Sequence, residues 1–169
     1  MDAFLFNKIN NLALENFYLD SVGIFLAHYL PFILVAFLLV FLLLDFKKRR
    51  RVFLMSFFAA ALSRLITEVF RIIWERPRPF VENNVNLLIE RLSSNSFPSA
   101  HTSFFFALST VLFFYNKKIG TIFFFCSFVM AISRIYSGVH WPSDILVGFL
   151  VGILSGFITI FIFNRFIEK

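Results

Sequence analysis

An arginine, a histidine and an aspartate lie close together in the stretch Ser133–Asp144, between two strongly apolar runs. Charged groups beside a membrane span are costly, so residues of this kind are usually functional. Pro142 suits the first turn of a helix, which places Asp144 near the positive end of the helix dipole. His140 then lies just before the helix, four residues from Asp144 and within reach of its carboxylate. The spacing predicts a histidine oriented by an acid, with Arg134 close enough to hold an anion.

Two further polar clusters precede this stretch. Arg71 is followed by Arg78-Pro79, and Pro98-Ser99-Ala100-His101 opens an apolar run. Pro98 predicts a second helix start, with His101 in its first turn. Helix N-termini and arginine side chains together bind polyanions, most plausibly phosphate. Two histidines beside a bound phosphate can attack phosphorus and protonate the leaving oxygen. The three clusters together therefore predict phosphoryl transfer.

The composition describes the framework that must position these residues. The chain has 169 residues, of which 59% are hydrophobic, 15% are charged and 28 are phenylalanine, and its mean hydropathy is +0.82. A soluble domain of this size could not cover so much apolar surface. The apolar runs last about 20 residues, the length that crosses a bilayer as a helix. We expect an all-α polytopic membrane helical bundle that forms one domain over residues 1–169. The single Cys126 excludes an intrachain disulfide.

The pattern predicts about five transmembrane helices and an N-terminal interfacial helix. The interfacial helix is expected over Met1–Asn16, whose apolar residues can share one face. Pro31 is expected to distort the first span. The polar stretch after the second span is expected to contain a short amphipathic helix at Val85–Leu92. The predicted spans are Leu19–Leu44, Val52–Trp74, Pro98–Tyr115, Ile119–Tyr136 and Pro142–Phe163.

The formal net charge of +6 is explained by topology rather than by nucleic-acid binding. Basic residues cluster at Lys47–Arg51, Lys117-Lys118 and Arg165/Lys169, and basic loops stay on the cytoplasmic side. This rule places the N-terminus and all three polar clusters on the outer face of the membrane. No basic soluble region exists that could bind nucleic acid.

The three clusters resemble the signature of the type 2 phosphatidic acid phosphatase superfamily of membrane lipid phosphatases. That signature is Lys, six residues, Arg-Pro; then Pro-Ser-Gly-His; then Ser-Arg, five residues, His, three residues, Asp. The third part is complete here, while Ala100 replaces the glycine of the second part and Arg71 replaces the lysine of the first. The matching region covers Arg71–Asp144, nearly half of the chain. Within the superfamily, the size and the Arg-Pro-Arg-Pro-Phe run are most similar to the short undecaprenyl-diphosphate phosphatases.

The resemblance implies a role for each matching residue. His140 would be the nucleophile that forms a phosphohistidine, Asp144 would orient it, and His101 would be the general acid. The family needs no metal and no cofactor. The phosphoryl oxygens would be held by Arg71, Arg78, Arg134 and Ser99, with backbone N–H groups around Ala100 and His101. Arg71 and Ala100 are departures that could alter head-group geometry and tighten the pocket.

Other polar and small residues have simpler interpretations. His28 is expected to be a packing or interfacial residue. Arg64 and Glu68, one helical turn apart, are expected to form a structural ion pair in the bundle interior. Trp74 and Trp141 suit the outer interface, although Trp141 could also line the pocket. Arg91 could equally be a surface charge or a phosphate contact. The glycines Gly148, Gly152 and Gly156 form a small-residue stripe that predicts close packing within the bundle.

The expected function is metal-independent hydrolysis of a lipid phosphate or diphosphate that enters from the bilayer. The expected location is the outer face of a bacterial inner membrane, and the expected substrate is undecaprenyl diphosphate. Two alternatives are a lipid A 1-phosphatase and a phosphatidylglycerol phosphate phosphatase. A small membrane transporter is a more distant alternative, because it would spread ionisable groups through several spans. The oligomeric state is not predicted.

Overall fold

The structure, a computed structural model, describes residues 1–82, 84–90 and 95–167, and the regular elements in these ranges are helices. The N-terminal helix α1 covers Asp2–Asn10. The first span consists of α2 (Phe17–Ile24), a π-helical segment (Phe25–Tyr29) and α3 (Leu30–Leu43). The remaining helices are α4 (Phe46–Ile73), the short α5 (Pro79–Glu82), α6 (Ala100–Tyr115), α7 (Lys117–Tyr136) and α8 (Pro142–Ile162), with a second π-helical segment at Phe163–Ile167.

Four helical stretches are long and apolar enough to cross a membrane, and the chain is a multi-pass membrane protein. They are Phe17–Leu43, Phe46–Ile73, Lys117–Tyr136 and Pro142–Phe166. The remaining predicted span, Pro98–Tyr115, corresponds to the apolar helix α6, which has only 16 residues and is therefore about 24 Å long. Most of its residues are buried, because α4, α7 and α8 pack around it. α6 is thus the central helix of the bundle.

The first span changes its hydrogen-bonding pattern just before Pro31. A proline lacks an N–H group, and its ring crowds the carbonyl four residues earlier. The segment Phe25–Tyr29 is π-helical, and Leu30 N donates to Phe25 O, five residues back. The carbonyl of Ala27, which Pro31 cannot serve, accepts a hydrogen bond from Arg134 Nη1 at 3.0 Å. The predicted distortion therefore exists as a π-helical segment whose carbonyl is bound by α7.

The contact between α6 and α8 depends on the glycine stripe. A Cβ atom at Gly148 would lie 2.7 Å from the carbonyl oxygen of Ser99, and one at Gly152 would lie 2.5 Å from that of Ser103. Any larger residue would push the two helices apart. The prediction of close packing within the bundle is confirmed, and this packing brings the first turns of α6 and α8 together.

The bundle has a polar end and a basic end. The end of α4 and the starts of α6 and α8 form the polar end, where Ser99 N donates to Asp144 O at 3.0 Å. The basic residues at the start of α4, the start of α7 and the end of α8 lie at the other end. There Arg51 Nη2 donates to Asn164 Oδ1 at 2.6 Å.

The predicted helix over Val85–Leu92 is wrong for residues 85–90, and the rest of that prediction lies outside the described residues. Tertiary hydrogen bonds replace helical ones here. Asn86 N donates to Asn10 Oδ1 at 3.0 Å, Asn86 O accepts from Asn10 Nδ2 at 2.8 Å, and Leu88 N donates to Ser137 O at 3.3 Å. The backbone is held against α1 and the end of α7, so it cannot close its own turns.

Candidate active site

His140 is held between an acid and an arginine. Its Nδ1 lies 3.3 Å from Asp144 Oδ2, and its Nε2 lies 3.3 Å from Arg78 Nη1. Arg78 Nη1 also donates to Val139 O at 2.9 Å. A guanidinium group has donors only, so the nitrogen that faces it presents a lone pair in the neutral ring. This assigns the proton to Nδ1, where Asp144 accepts it.

Asp144 lies at the start of α8 and is completely buried. Its Oδ2 accepts from Trp141 N at 2.9 Å, which is a helix-capping contact. The same oxygen accepts from Ser96 Oγ, and Oδ1 accepts from Arg76 Nη1 at 3.0 Å. A buried carboxylate requires such partners because desolvation otherwise disfavours its charge. The contacts therefore fix the acid that orients His140.

Arg76 connects Asp144 to the N-terminal helix. Its Nη2 lies 2.5 Å from Asp2 Oδ2, and its Nη1 donates to Ser143 Oγ at 2.6 Å. Asp2 in turn accepts from Ser143 N at 3.0 Å and from Ser143 Oγ at 2.5 Å. Partial burial alone would raise the pKa of the Asp2 carboxyl, but the hydrogen bonds from Ser143 and Arg76 outweigh it and hold that pKa below its usual value. The carboxylate is therefore the stable form at neutral pH.

The helix α1 is also fixed by packing and by an asparagine pair. Phe6 is buried, and its ring centroid lies 5.0 Å from that of Trp141. Trp141 Nε1 donates to Pro77 O at 3.2 Å, so its ring lies over the α4–α5 connection. Asn10 and Asn86 bind each other through side chains and backbone. The N-terminal helix exists as predicted, but it ends at Asn10, and one of its faces contacts the site.

Arg76, Ser96, Ser143 and Asp2 were missed in the sequence. Arg76 was visible only as part of an Arg-Pro-Arg-Pro run, and no spacing rule connects it to Asp2, which is 74 residues away. Ser96 and Ser143 are too common in loops to be noticed. The weak signal was Asp2 itself, a charge directly before the apolar run Ala3–Phe6 in the first turn of the helix.

The second predicted cluster lies at the start of α6. Ser99 is buried, and its Oγ accepts from Thr102 Oγ1 at 3.0 Å. Ala100 and His101 occupy the first turn of α6 and line a cavity of about 240 Å³. Because Ser99 N binds Asp144 O, the first turns of α6 and α8 lie side by side. The structure therefore brings the second and third clusters together.

Arg71 approaches the same place from α4. Its Nη2 lies 3.5 Å from Pro98 O, and its Nη1 lies 3.3 Å from Glu68 Oε1. Its Nε is buried and has no hydrogen-bond partner among the described residues. Asn95 Nδ2 holds the backbone oxygen of Arg71 at 2.7 Å. This guanidinium therefore has a donor that an anion at the start of α6 could use.

Arg134 differs from the other predicted arginines, because its hydrogen bond to Ala27 O reaches into the first span. The side chain is only 1% exposed. This contact ties α7 to α2–α3, and the predicted role of Arg134 in phosphate binding stays a prediction.

The remaining sequence interpretations can now be located. Arg64 and Glu68 form the expected ion pair at 2.8 Å, but the expected interior position is wrong, since their side chains are 55% and 43% exposed. Arg64 lines the cavities between α3 and α4, and Glu68 lines another cavity with Arg71, so neither side chain is enclosed by the bundle. His28 packs against Tyr29 in the first span, away from the site. Arg91 lies outside the described residues.

In the described ranges, no group of three or more His, Cys, Asp or Glu side chains is arranged to hold a metal ion. The charges around His140 come instead from Arg76, Arg78 and Asp144. This arrangement suits an anion better than a cation.

Comparisons with known proteins agree with this geometry. A family model described as the PAP2 superfamily matches residues 53–168. The bacitracin transport permease protein BcrC of Bacillus licheniformis is 37% identical over 156 residues, which cover 92% of this chain and 76% of that protein. The undecaprenyl-diphosphatase BcrC of Bacillus subtilis is 31% identical over 94% of this chain and 82% of that protein. These matches confirm the family resemblance inferred from the three clusters.

Two crystal structures share the fold. LpxE of Aquifex aeolicus aligns with a TM-score of 0.81 at 33% identity and covers 94% of each chain. A PAP2-type phosphatidylglycerolphosphate phosphatase from Bacillus subtilis aligns with a TM-score of 0.76 at 22% identity, over 97% of this chain and 87% of that one. The predicted all-α membrane bundle is therefore confirmed.

Proposed function

The chain belongs to the PAP2 superfamily of membrane lipid phosphatases, and we propose that it removes the terminal phosphate of undecaprenyl diphosphate. The carrying observation is the arrangement of His140 between Asp144 and Arg78, which suits attack on a phosphate. The choice of substrate is supported by the undecaprenyl-diphosphatase of Bacillus subtilis, which is 31% identical.

In the proposed first step, His140 Nε2 attacks the terminal phosphorus. Its lone pair forms the N–P bond, and the bond from phosphorus to the bridging oxygen breaks with its electron pair on that oxygen. Asp144 stabilises the positive charge that develops on the ring through Nδ1. Arg78, now 3.3 Å from Nε2, turns to the phosphoryl oxygens and releases the lone pair.

His101 gives a proton to the leaving oxygen and then takes one from the water that attacks the phosphohistidine. The new P–O bond forms as the N–P bond breaks, and the electron pair of the N–P bond returns to Nε2. The position of His101 in the first turn of α6 supports this role, since α6 begins beside α8. The phosphoryl oxygens would be bound by Arg71, Arg78, Arg134, Ser99 and the backbone N–H groups at Ala100 and His101.

We further propose that the site faces the cell exterior or periplasm. The support is the separation of the polar end from the basic end, together with the preference of basic loops for the cytoplasm. In a Cys126→Ser background, Glu75→Cys at the polar end should react with a membrane-impermeant maleimide added to intact cells. Lys117→Cys at the basic end should react only after lysis. The opposite labelling pattern would reverse the orientation.

Phosphate release tests the proposed substrate. Purified protein in detergent with EDTA is given undecaprenyl diphosphate, lipid A or phosphatidylglycerol phosphate, beside His140→Ala and His28→Ala variants. His28 is a matched control, because it is exposed in the first span and packs against Tyr29 and Phe32, away from the site. We expect the fastest release from undecaprenyl diphosphate, its loss in His140→Ala and its retention in His28→Ala.

Other outcomes would correct separate parts of the proposal. A preference for lipid A or phosphatidylglycerol phosphate would replace the substrate and keep the mechanism. Full activity in His140→Ala would refute the nucleophile, and activity that appears only when EDTA is left out would refute metal independence. Failure to hydrolyse any of the three lipids would reopen the transporter alternative, which the name of the Bacillus licheniformis relative makes worth testing.

A further inference from the structure

Two adjoining cavities lie between α3 and α4. The first is the cavity of about 240 Å³ beside His101, and the second has about 400 Å³ and an almost entirely apolar lining, including Leu38, Phe57 and Leu108. Val35, Arg64 and Phe104 line both of them. Arg64 therefore lies at the junction between the cavity that His101 lines and the more apolar cavity that extends along the span.

The charge on Arg64 is only partly neutralised. Glu68 Oε1 lies 2.8 Å from Arg64 Nη2 and 3.3 Å from Arg71 Nη1, so one carboxylate serves two guanidinium groups. The three side chains together carry one net positive charge. A charged residue within a span is costly, so its presence there indicates a function. Arg64 lines both cavities, and its ion pair with Glu68 does not require this.

A positive charge at this position matches the charge of one possible leaving group. When a lipid diphosphate is cleaved at its terminal phosphorus, the leaving group is a lipid monophosphate, which carries negative charge. When a lipid monophosphate is cleaved, the leaving group is a neutral alcohol. With the terminal phosphate beside His101 and the tail in the apolar cavity, the retained phosphate would lie between the two. Arg64 lines both cavities at that junction.

We propose that Arg64 binds the phosphate that remains on the lipid and thereby makes the enzyme selective for lipid diphosphates over monophosphates. This inference rests on the proposed function, in which His140 attacks the terminal phosphorus and the bridging oxygen keeps the electron pair of the broken bond. The retained phosphate displaces Glu68 from Arg64. The apolar cavity between α3 and α4 receives the hydrocarbon tail.

The test compares two substrates with one tail, farnesyl diphosphate and farnesyl monophosphate, in detergent micelles. Arg64→Met should lower kcat/KM for the diphosphate by about 10- to 100-fold, the range of one hydrogen bond to a charged group. It should change kcat/KM for the monophosphate by less than about threefold, because no charged leaving group is lost. Arg64→Lys should keep most of the selectivity. The control Arg165→Met, at the basic end, should leave kcat/KM unchanged for both substrates.

The ratio of kcat/KM for the diphosphate to kcat/KM for the monophosphate is insensitive to a partly unfolded preparation, because unfolded protein lowers both values equally. If Arg64→Met does not fold, Arg64→Gln provides the same comparison. An unchanged ratio in a folded variant overturns the role of Arg64. A failure of the proposed function gives a different result. In that case the unaltered protein would release no phosphate from the diphosphate, or the His140→Ala variant would remain active.

Discussion

Removal of Arg76 should disable the enzyme through Asp144 rather than through direct contact with phosphate. Arg76 Nη1 forms a salt bridge with Asp144 Oδ1 at 3.0 Å. The test substitution is Arg76→Met, which keeps much of the side-chain volume and removes the charge. Arg76→Lys keeps a charge without the planar fork.

The magnitude follows from the burial of the pair. Breaking a buried ion pair by removing one partner costs about 3–5 kcal/mol. The Arg76 side chain is 25% exposed, and Asp144 keeps its bonds from Ser96 and Trp141, so we expect a smaller cost of about 2–3 kcal/mol. If all of it appears in the activation barrier, kcat/KM falls by about 30- to 150-fold.

The assay is phosphate release by the unaltered protein, Arg76→Met, Asp144→Asn and the double variant, with Arg50→Met from the basic end as control. Because Arg76 acts on Asp144, its loss should matter little once Asp144 is Asn, and the two losses should not multiply. Partial recovery in Arg76→Lys is also expected. Multiplicative losses in the double variant would show that Arg76 acts independently, and the reasoning would be refuted.

Three further predictions concern the framework. Gly152→Ala should lower the free energy of unfolding by about 1–3 kcal/mol, because the new Cβ would lie 2.5 Å from Ser103 O. Thermal unfolding in detergent measures this change, and Leu146→Ala, at an exposed position, is the control. Asp2→Asn should lower the unfolding midpoint at pH 6–8, and the difference from the unaltered protein should shrink as the pH falls below the unfolded pKa of 3.8. A carboxylate whose pKa is lowered by folding stabilises the fold above its unfolded pKa and loses this effect as the pH falls through the folded pKa. A difference that does not change with pH would contradict this prediction. Asn86→Ala should expose the N-terminal segment to proteolysis, because it removes the hydrogen bonds from Asn86 Nδ2 to the backbone oxygens of Asn10 and Ala13. Unchanged protection would show that apolar packing alone holds this segment.

Local spacing was sufficient for the parts of the site that lie on one element. His140 and Asp144 are four residues apart across a helix start, so the sequence alone predicted their contact. The glycine stripe on α8 was similarly readable, because a helical period places Gly148, Gly152 and Gly156 on one face. Apolar run length predicted the spans because the bilayer fixes that length.

Contacts between distant segments could not be predicted in this way. Asp2 and Arg76 meet only after the whole bundle has formed, and their types alone do not indicate it. The predicted helix was wrong over residues 85–90 because Asn86 binds the N-terminal segment instead of its own turn. Arg64 was expected in the interior, because a helical period identifies which residues share a face but not what lies opposite that face.

The bonds between Asp2 and Ser143 also have a consequence for biosynthesis. The two residues are 141 positions apart in the chain, so at ordinary translation speeds the ribosome makes the second on the order of ten seconds after the first. During that interval α1 can contact Arg76 and Asn86 but lacks its partner on α8. The contact between α1 and α8 is therefore among the last to form, and a chain arrested before His140 cannot hydrolyse the lipids of the membrane it is entering.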